Sequence, residues 1–344
     1  MYKASLQPHQ LIFNHPGGTS RGVLSTKMSY YLHICKDAAP EVIGRGECSI
    51  LPGLSPDDRP QLEAKLQWCC ENIDALIPDF HIQLQDWPAI RFAVEMALAD
   101  LHHGGQGLYY PSDFTSGKKE IPINGLIWMG NAEEMSLRIN EKLKEGFTCL
   151  KLKIGALNYD SEIQLIKTLR KRFSPQALEL RVDANGAFSP QKAPEVLDQL
   201  AQLSIHSIEQ PIKAGQWQQM AQLCATTPIP IALDEELIGL ADENSQREMI
   251  TTIRPQYIIL KPSLTGGFLA SKSWIRHAEA VNAGWWITSA LEANIGLNAI
   301  AQWTATLNNP MPQGLGTGQV FANNVDSPLV VEQGKLRYRT SLAE

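Results

Sequence analysis

The 344-residue chain has no apolar run near the roughly 18 residues that a spanning helix needs, which argues against an integral membrane protein. Its start, Met1-Tyr2-Lys3-Ala4, lacks the basic-then-apolar layout of a secretory signal, so the cytoplasm is the expected location. Cysteine has no pattern either. Cys35, Cys48, Cys69, Cys70, Cys149 and Cys224 show no C-x-x-C spacing, so neither a disulfide framework nor a thiolate metal site is indicated, and buried free thiols are expected. Positive charge is in deficit, with 30 Lys and Arg against 36 Asp and Glu and a net charge of -6. No basic field is available to collect nucleic acid or an anionic membrane, which leaves small molecules as the expected partners. Low-complexity segments and sequence repeats are also missing, and a monomer and a homo-oligomer are equally compatible with the sequence.

What is present is an ordinary globular composition, 44% hydrophobic and 19% charged, in a chain long enough for one large α/β barrel or a barrel with a smaller partner. From Ile121 onward short β-rich runs alternate with longer helical patterns, the mark of βα units and a parallel sheet. Expected strands are Ile121–Trp128, Cys149–Ile154, Leu178–Asp183, Ser207–Gln210, Ile229–Asp234, Tyr257–Lys261, Trp285–Ser289 and a short one near Gly314. Between them, stretches such as Asn131–Glu145, Asp160–Phe173, Pro190–Gln202 and Ser271–Asn282 carry apolar residues at three- and four-residue spacing and read as helices. The stretch after Asp234 is less regular. Eight parallel strands with intervening helices close most naturally into a (β/α)8-type barrel.

The first 120 residues read differently. Gly22–Cys35 and Glu41–Ile50 alternate with strand period, while Asp57–Leu76 and Trp87–His102 are helical, which suggests an α+β cap. Gly104-Gly105-Gln106-Gly107 and Ser116-Gly117-Lys118-Lys119 mark a loop-rich crossing, so the boundary is expected near residue 120. The expected organisation is thus a cap over 1–120, a barrel over 121–319 and a C-terminal return over 320–344. In that return, Lys335-Leu336-Arg337-Tyr338-Arg339 alternates and is expected to add an edge strand to the cap.

Five of the expected strands end in a charged residue after an apolar run: Lys153, Asp183, Glu209, Asp234 and Lys261. They are spaced by 25 to 30 residues, about one βα unit each. Residues at the C-terminal ends of barrel strands face one mouth, so Asp183, Glu209 and Asp234 can converge there. Three carboxylates that close repel strongly, by about 4 kcal/mol per pair at ~4 Å and an effective dielectric near 20. A hard divalent cation is the usual remedy, and an all-oxygen set favours Mg²⁺ over zinc. Taken singly, each acid is as well explained as a helix cap; three in succession between lysines are not.

Lys151 and Lys153 lie two apart in a strand and so face the same side, away from Leu150, Leu152 and Ile154. A buried ammonium beside a second ammonium and a dication is expected to lose proton affinity and so become available as a base. Lys261 arrives two strands beyond Glu209 and is expected to oppose Lys153 across a bound substrate. An ordinary ion pair with Glu235 or Glu236 is its alternative role.

As a series, Lys151-Leu152-Lys153, Asp183-Ala184-Asn185-Gly186, Glu209-Gln210-Pro211, Asp234-Glu235 and Lys261-Pro262 resemble the motifs of the muconate-lactonizing branch of the enolase superfamily. Within it the chain resembles the dehydratases of menaquinone biosynthesis. The resemblance implies a (β/α)7β barrel with an α+β capping domain, and Mg²⁺, with Mn²⁺ as a substitute, held by Asp183, Glu209 and Asp234. It implies Lys153 as base, Lys261 as opposing lysine, Lys151 as first lysine of the K-x-K motif, and Asn185 and Glu235 as neighbours of the ligands, Glu235 being the alternative ligand to Asp234. The implied reaction is proton abstraction beside a substrate carboxylate and syn loss of a β-hydroxyl by way of an enediolate.

Relatives of this branch also racemise N-acylamino acids or epimerise dipeptides on the same catalytic set, so fold and motif do not separate them. Dipeptide epimerases resemble one another in an Asp-x-Asp after the eighth strand, where this chain has Gly316-Thr317-Gly318. Backbone N–H groups around Gly316 and the hydroxyls of Thr288 and Ser289 are expected to receive a second, anionic carboxylate instead. Gly17-Gly18-Thr19-Ser20-Arg21 reads either as a loop that closes the mouth, with Arg21 at the substrate, or as a surface hairpin turn. Two other classes remain as alternatives. A metal-stabilised binding scaffold would keep the acids without needing Lys153. A phosphate-binding barrel would use Thr265-Gly266-Gly267 before a helix.

Overall fold

The computed structural model describes the chain except for residues 20, 21, 129, 156–158 and 341–344. Its first sheet is an antiparallel meander of β1 (Tyr2–Thr19), β2 (Gly22–Lys36) and β3 (Ala39–Ser49). The 18-residue β1, unanticipated from the sequence, is the longest strand described. Its far end pairs Gly17 to Thr19 with Leu24 to Gly22, so this stretch is part of a hairpin, while Arg21 falls outside the described residues.

Against this sheet lies the helix Pro88–His102, which opens with proline at its first position, where the missing N–H costs nothing. Its Ala89, Ala93, Val94 and Ala97 pack with Tyr30, Leu32, Ile34 and Cys48 in a cap core. The approach is very close: a Cβ on Gly46 would lie 1.9 Å from the Ala93 carbonyl oxygen, and one on Gly44 2.0 Å from that of Ala97. Only glycine lets β3 and the helix meet at this distance.

The barrel sheet is parallel, in the order β11 (Gly284–Ile287), β10 (Tyr257–Leu260), β9 (Ile231–Leu233), β8 (Ser207–Glu209), β7 (Glu179–Asp183), β6 (Cys149–Lys153), β5 (Gly125–Ile127). Seven of the eight expected strands are therefore ladders. The eighth, near Gly314, consists of single bridges, Thr288 to Gly314 on one side and Ile123 to Gln313 on the other, and these join the two ends of the sheet. A Cβ on Gly314 would lie 2.1 Å from Thr288 Oγ1, so closure depends on that glycine.

The expected strand Ile121–Trp128 is split. Its first part, β4 (Ile121–Pro122), pairs with β13 (Lys335–Tyr338), which pairs in turn with β12 (Leu329–Glu332). The tail thus joins the start of the barrel and not the cap sheet, which corrects the expected edge strand. Its contact with the cap comes earlier, where Asn14 N–H donates to the Val320 carbonyl at 2.9 Å and Ala322 N–H to that of Ile12 at 2.8 Å.

The helices follow the apolar period. Ala132–Lys144 starts at a capping box in which Asn131 Oδ1 accepts from Glu134 N–H at 2.9 Å and Glu134 Oε2 from Asn131 N–H at 3.1 Å. Tyr159–Arg172, Ala193–Ala201 and Gly267–Ala280 match expected stretches, while Trp217–Thr226, Glu243–Ile253 and Asn294–Thr306 complete the ring. After Asp234 the chain makes only a 3-10 turn, Glu235–Leu237, in keeping with its irregular pattern. The barrel floor is closed by buried Arg181, which lies 4.4 Å from the Trp286 ring centroid and donates to the Pro312 carbonyl at 2.9 Å. All six cysteines are free, four of them buried. Among the described residues no helix is long and apolar enough to cross a membrane.

Candidate active site

Strand register assembles the mouth. Lys153, Asp183 and Glu209 are side-by-side partners on β6, β7 and β8, and Ala232 stands next to Glu209 on β9, two residues before Asp234. Adjacent parallel strands are about 4.8 Å apart, so the acids and lysines of neighbouring strands must touch. On β6, Leu150 and Leu152 are buried in the barrel core while Lys151 and Lys153 turn to the cavity side, as the two-residue period requires.

The lysines bind the acids directly. Lys151 Nζ lies 2.9 Å from Asp183 Oδ2 and also contacts Glu209 Oε2, and Lys153 Nζ lies 2.6 Å from the same Asp183 oxygen. Lys261 pairs with Asp234. Asn185 links the two sides: its Oδ1 accepts from Lys153 Nζ at 2.7 Å and its Nδ2 donates to Glu235 Oε1 at 3.0 Å. It does so from a left-handed backbone, φ 44°, which asparagine tolerates better than most residues. Glu236 faces away, accepting from Gln210 Nε2 at 3.1 Å and Gly215 N–H at 2.7 Å.

Burial alone would depress the Lys151 ammonium, but Asp183, Glu209 and Asp234 outweigh it and hold its pKa well above the ordinary value. The surrounding carboxylates dominate its field. Lys261 is raised in the same way, against burial, by Asp234, Glu209 and Glu235. Burial would lift Asp183, yet Lys151 and Lys153 hold it far below the usual carboxylate range. Glu209 moves the other way, raised by burial and then by the Asp183 charge.

Above this rim is a cavity of about 220 Å³. Lys151, Lys153, Asn185, Glu235 and Lys261 border it on the rim side; Thr288, Ser289, Gly316 and Thr317 form a hydroxyl- and glycine-rich wall. The cap contributes Leu24, Leu51 and Leu54. Asp183, Glu209 and Asp234 are almost wholly buried behind the lysines, at 0%, 2% and 2% exposure, and do not border the cavity. Asn124, one strand position before β5, borders it and was not anticipated; a polar side chain beside the apolar Ile121-Pro122-Ile123 was the available signal.

The hydroxyls of the wall are engaged with the protein. Thr288 Oγ1 donates to the Gly314 carbonyl at 3.0 Å and Ser289 Oγ to Glu292 Oε2 at 2.6 Å, so both protons are directed at protein acceptors. A Cβ on Gly316 would meet only ordinary contacts, the nearest at 3.5 Å, so no steric conflict explains that glycine.

Among the described residues no three His, Cys, Asp or Glu side chains are already drawn together around one ion-sized point. The ammonium groups hold the carboxylate oxygens where a cation would. The donor chemistry nonetheless suits a hard cation: three carboxylates stand on successive strands, and Glu209 Oε1 is buried without a hydrogen-bond partner. The helix start at Thr265-Gly266-Gly267 is taken by the cap, since Glu95 accepts from Phe268 N–H at 2.6 Å and Leu269 N–H at 3.1 Å. Phosphate would meet a carboxylate there, which removes the phosphate-barrel alternative.

A lysine-and-acid rim at the C-terminal ends of parallel barrel strands, covered by an antiparallel cap, is the architecture of the enolase type. The enolase C-terminal domain-like family matches residues 134–341. An o-succinylbenzoate synthase of Desulfotalea psychrophila is 49% identical over 96% of this chain and 98% of its own. The crystal structure of MenC from that organism superposes with a TM-score of 0.85 at 45% identity, covering 98% of this chain and 99% of the other. More distant is the L-Ala-D/L-Glu epimerase of Bacillus subtilis, 26% identical over 69% of this chain and 64% of its own. A dipeptide epimerase of Enterococcus faecalis, crystallised with Mg and L-Leu-L-Tyr, shares the fold at a TM-score of 0.82 and 19% identity, over 98% of this chain and 96% of the other. The chain belongs to the enolase superfamily and, within it, to the family of its o-succinylbenzoate synthase relative.

Proposed function

We propose that this protein catalyses the Mg²⁺-dependent syn dehydration of 2-succinyl-6-hydroxy-2,4-cyclohexadiene-1-carboxylate to o-succinylbenzoate and water, a cytoplasmic step of menaquinone biosynthesis. The observation that carries the reading is 49% identity, over nearly the full length of both chains, to an o-succinylbenzoate synthase. The same identity makes the chain an enzyme of the carbon–oxygen lyase class and sets aside a metal-stabilised scaffold.

In this reading Lys153, bordering the cavity and steered by Asp183 and Asn185, takes the proton from the carbon beside the substrate carboxylate. The C–H pair becomes the new double bond, the C–O bond breaks on the same face, and Lys153 returns its proton to the departing hydroxyl as water. Lys261 presents a positive charge to the enediolate from the far side of the rim, and Lys151 keeps Asp183 and Glu209 together. Asp183, Glu209 and Asp234, with Glu235 beside them, would hold Mg²⁺ or Mn²⁺, whose charge lowers the cost of the developing negative charge on the substrate carboxylate.

Dipeptide epimerisation is disfavoured because Gly316 and Thr317 offer no carboxylate for a substrate ammonium on their wall. The deciding experiment offers the purified protein the cyclohexadiene precursor with Mg²⁺ and, in parallel, N-succinylamino acids and dipeptides. Formation of o-succinylbenzoate, abolished by EDTA and restored by Mg²⁺, is the expected result. Turnover of only the amino-acid or dipeptide substrates overturns the reading.

A further inference from the structure

Glu292 follows β11 and is fully buried, yet it belongs to none of the motifs above. Its Oε1 accepts from Ser263 Oγ at 2.5 Å, and its Oε2 accepts from Ser289 Oγ at 2.6 Å and Ala290 N–H at 2.8 Å. Glu292 Oε2 accepts from the Ala290 N–H, which can only donate, and a serine hydroxyl has one proton. Ser289 therefore directs that proton at Glu292, and its lone pairs accept from Leu291 N–H at 2.9 Å and Thr317 Oγ1 at 2.8 Å. Thr317 in turn has directed its own proton at Ser289. On the same wall Thr288 donates to the Gly314 carbonyl at 3.0 Å. Each of the three hydroxyls bordering this side of the cavity thus points its hydrogen into the protein.

The turn that carries them is held from the cap. Lys27 Nζ, buried, donates to the Leu291 carbonyl at 2.7 Å and to Ser49 Oγ. Glu47 accepts from Ala293 and Gly296 N–H, both at 2.8 Å. Leu291 sits at φ 61°, a conformation a leucine keeps only when its surroundings impose it.

We infer that Glu292 is a positioning residue that fixes the hydroxyl directions of Ser289 and Thr317, so that this part of the wall offers the cavity no hydroxyl donor. The ligand group it faces is a hydroxyl, an N–H or an uncharged carbon, and a second substrate carboxylate is not received by Thr288, Ser289 or Thr317. The statement about substrate rests on the dehydratase reading; the arrangement of protons does not.

Neutron diffraction from deuterium-exchanged protein tests the arrangement directly. Deuterons on the Ser289–Glu292 and Thr317–Ser289 lines are expected, and a Ser289 deuteron pointing into the cavity overturns the inference. Calorimetry with o-succinylbenzoate, and with its analogue bearing a carboxamide in place of the succinyl carboxylate, tests the consequence. Ser289→Ala and Thr317→Val should each change the affinity for the acid by less than about threefold, whereas losing a hydrogen bond to a charged group costs about tenfold or more. A tenfold loss confined to the acid probe overturns the inference. In Glu292→Leu no acceptor remains for the Ser289 proton, which is free to turn toward the cavity, so the acid-over-amide preference should rise by about fivefold or more. An unchanged preference in that variant, correctly folded, also counts against it. Should Glu292→Leu not fold, the two hydroxyl variants and the neutron map still decide. Failure of the wild-type protein to dehydrate the cyclohexadiene substrate would defeat the proposed function and leave the neutron result standing.

Discussion

Two clusters of buried charge lie within this molecule, and they are built to opposite specifications. At the seam between cap and barrel, Glu47 Oε1 accepts from Ser29 Oγ and Ala293 N–H, both at 2.8 Å, its Oε2 accepts from Gly296 N–H at 2.8 Å, and Lys27 is held by Ser49 and Leu291. Each of these groups has partners, as a buried polar network must to be stable. At the mouth, two ammonium groups share the single oxygen Asp183 Oδ2, and Glu209 Oε1 is buried without a hydrogen-bond partner. A saturated cluster fixes geometry. An unsaturated one keeps capacity for a ligand, and strongly perturbed ionisation gathers at such places.

The comparison is open to direct attack, and the largest effect should come from the mouth. Lys153→Ala should lower turnover about 10²–10⁴-fold, the usual worth of a general base, while the thermal unfolding curve moves little. A collapsed melting temperature would mean that the mouth is as structural as the seam. Lys27→Met should act in reverse, lowering the unfolding free energy by about 3–5 kcal/mol, since Glu47 and Glu292 lose a buried counter-charge. Urea denaturation measures it, and a loss well under 1 kcal/mol would remove the distinction.

The seam should also appear in the pH dependence of stability. Burial pushes Glu95 up to about 7, against its two backbone donors. Between an unfolded value near 4.5 and that figure, the folded chain keeps a proton that the unfolded chain has released, so stability falls as pH rises through this window. Glu95→Gln should flatten this part of the profile of urea midpoint against pH; a profile identical to wild type would refute the assignment. The smallest effect is expected at the barrel closure, where Gly314→Ala drives a methyl group into Thr288 and should destabilise by about 1–3 kcal/mol. A neutral result there would mean that the single bridges at Gly314 can shift without cost.

Legibility followed the same division. Lys151, Lys153, Asp183, Glu209, Asp234 and Lys261 stood out because a strand end recurs once per βα unit and a charge closing an apolar run has few bland explanations. Asn185 and Glu235 were placed beside them only through the family resemblance, and the structure brings both to the cavity. Lys27, Glu47 and Glu292 were invisible, because each sits alone in its segment and meets the others only across the cap–barrel seam. The strand β1 was missed since its paired faces depend on β2 and on the tail at 320–322, not on its own composition. Pairing of Lys335–Tyr338 with Ile121–Pro122 was misjudged because an alternating strand specifies that it needs an edge, not which edge.

By itself the sequence determined the barrel's repeating units and the identity of the charges at their ends, because both are set by local period: two along a strand, 3.6 along a helix, about 25 to 30 from one strand end to the next. Only the tertiary structure decided which carboxylate oxygens each lysine binds, where the tail docks, and in which direction the hydroxyls of the cavity wall point. Those depend on contacts between residues far apart in the chain, such as Lys27 with Leu291, 264 positions away, and no local pattern encodes the partner of a buried charge.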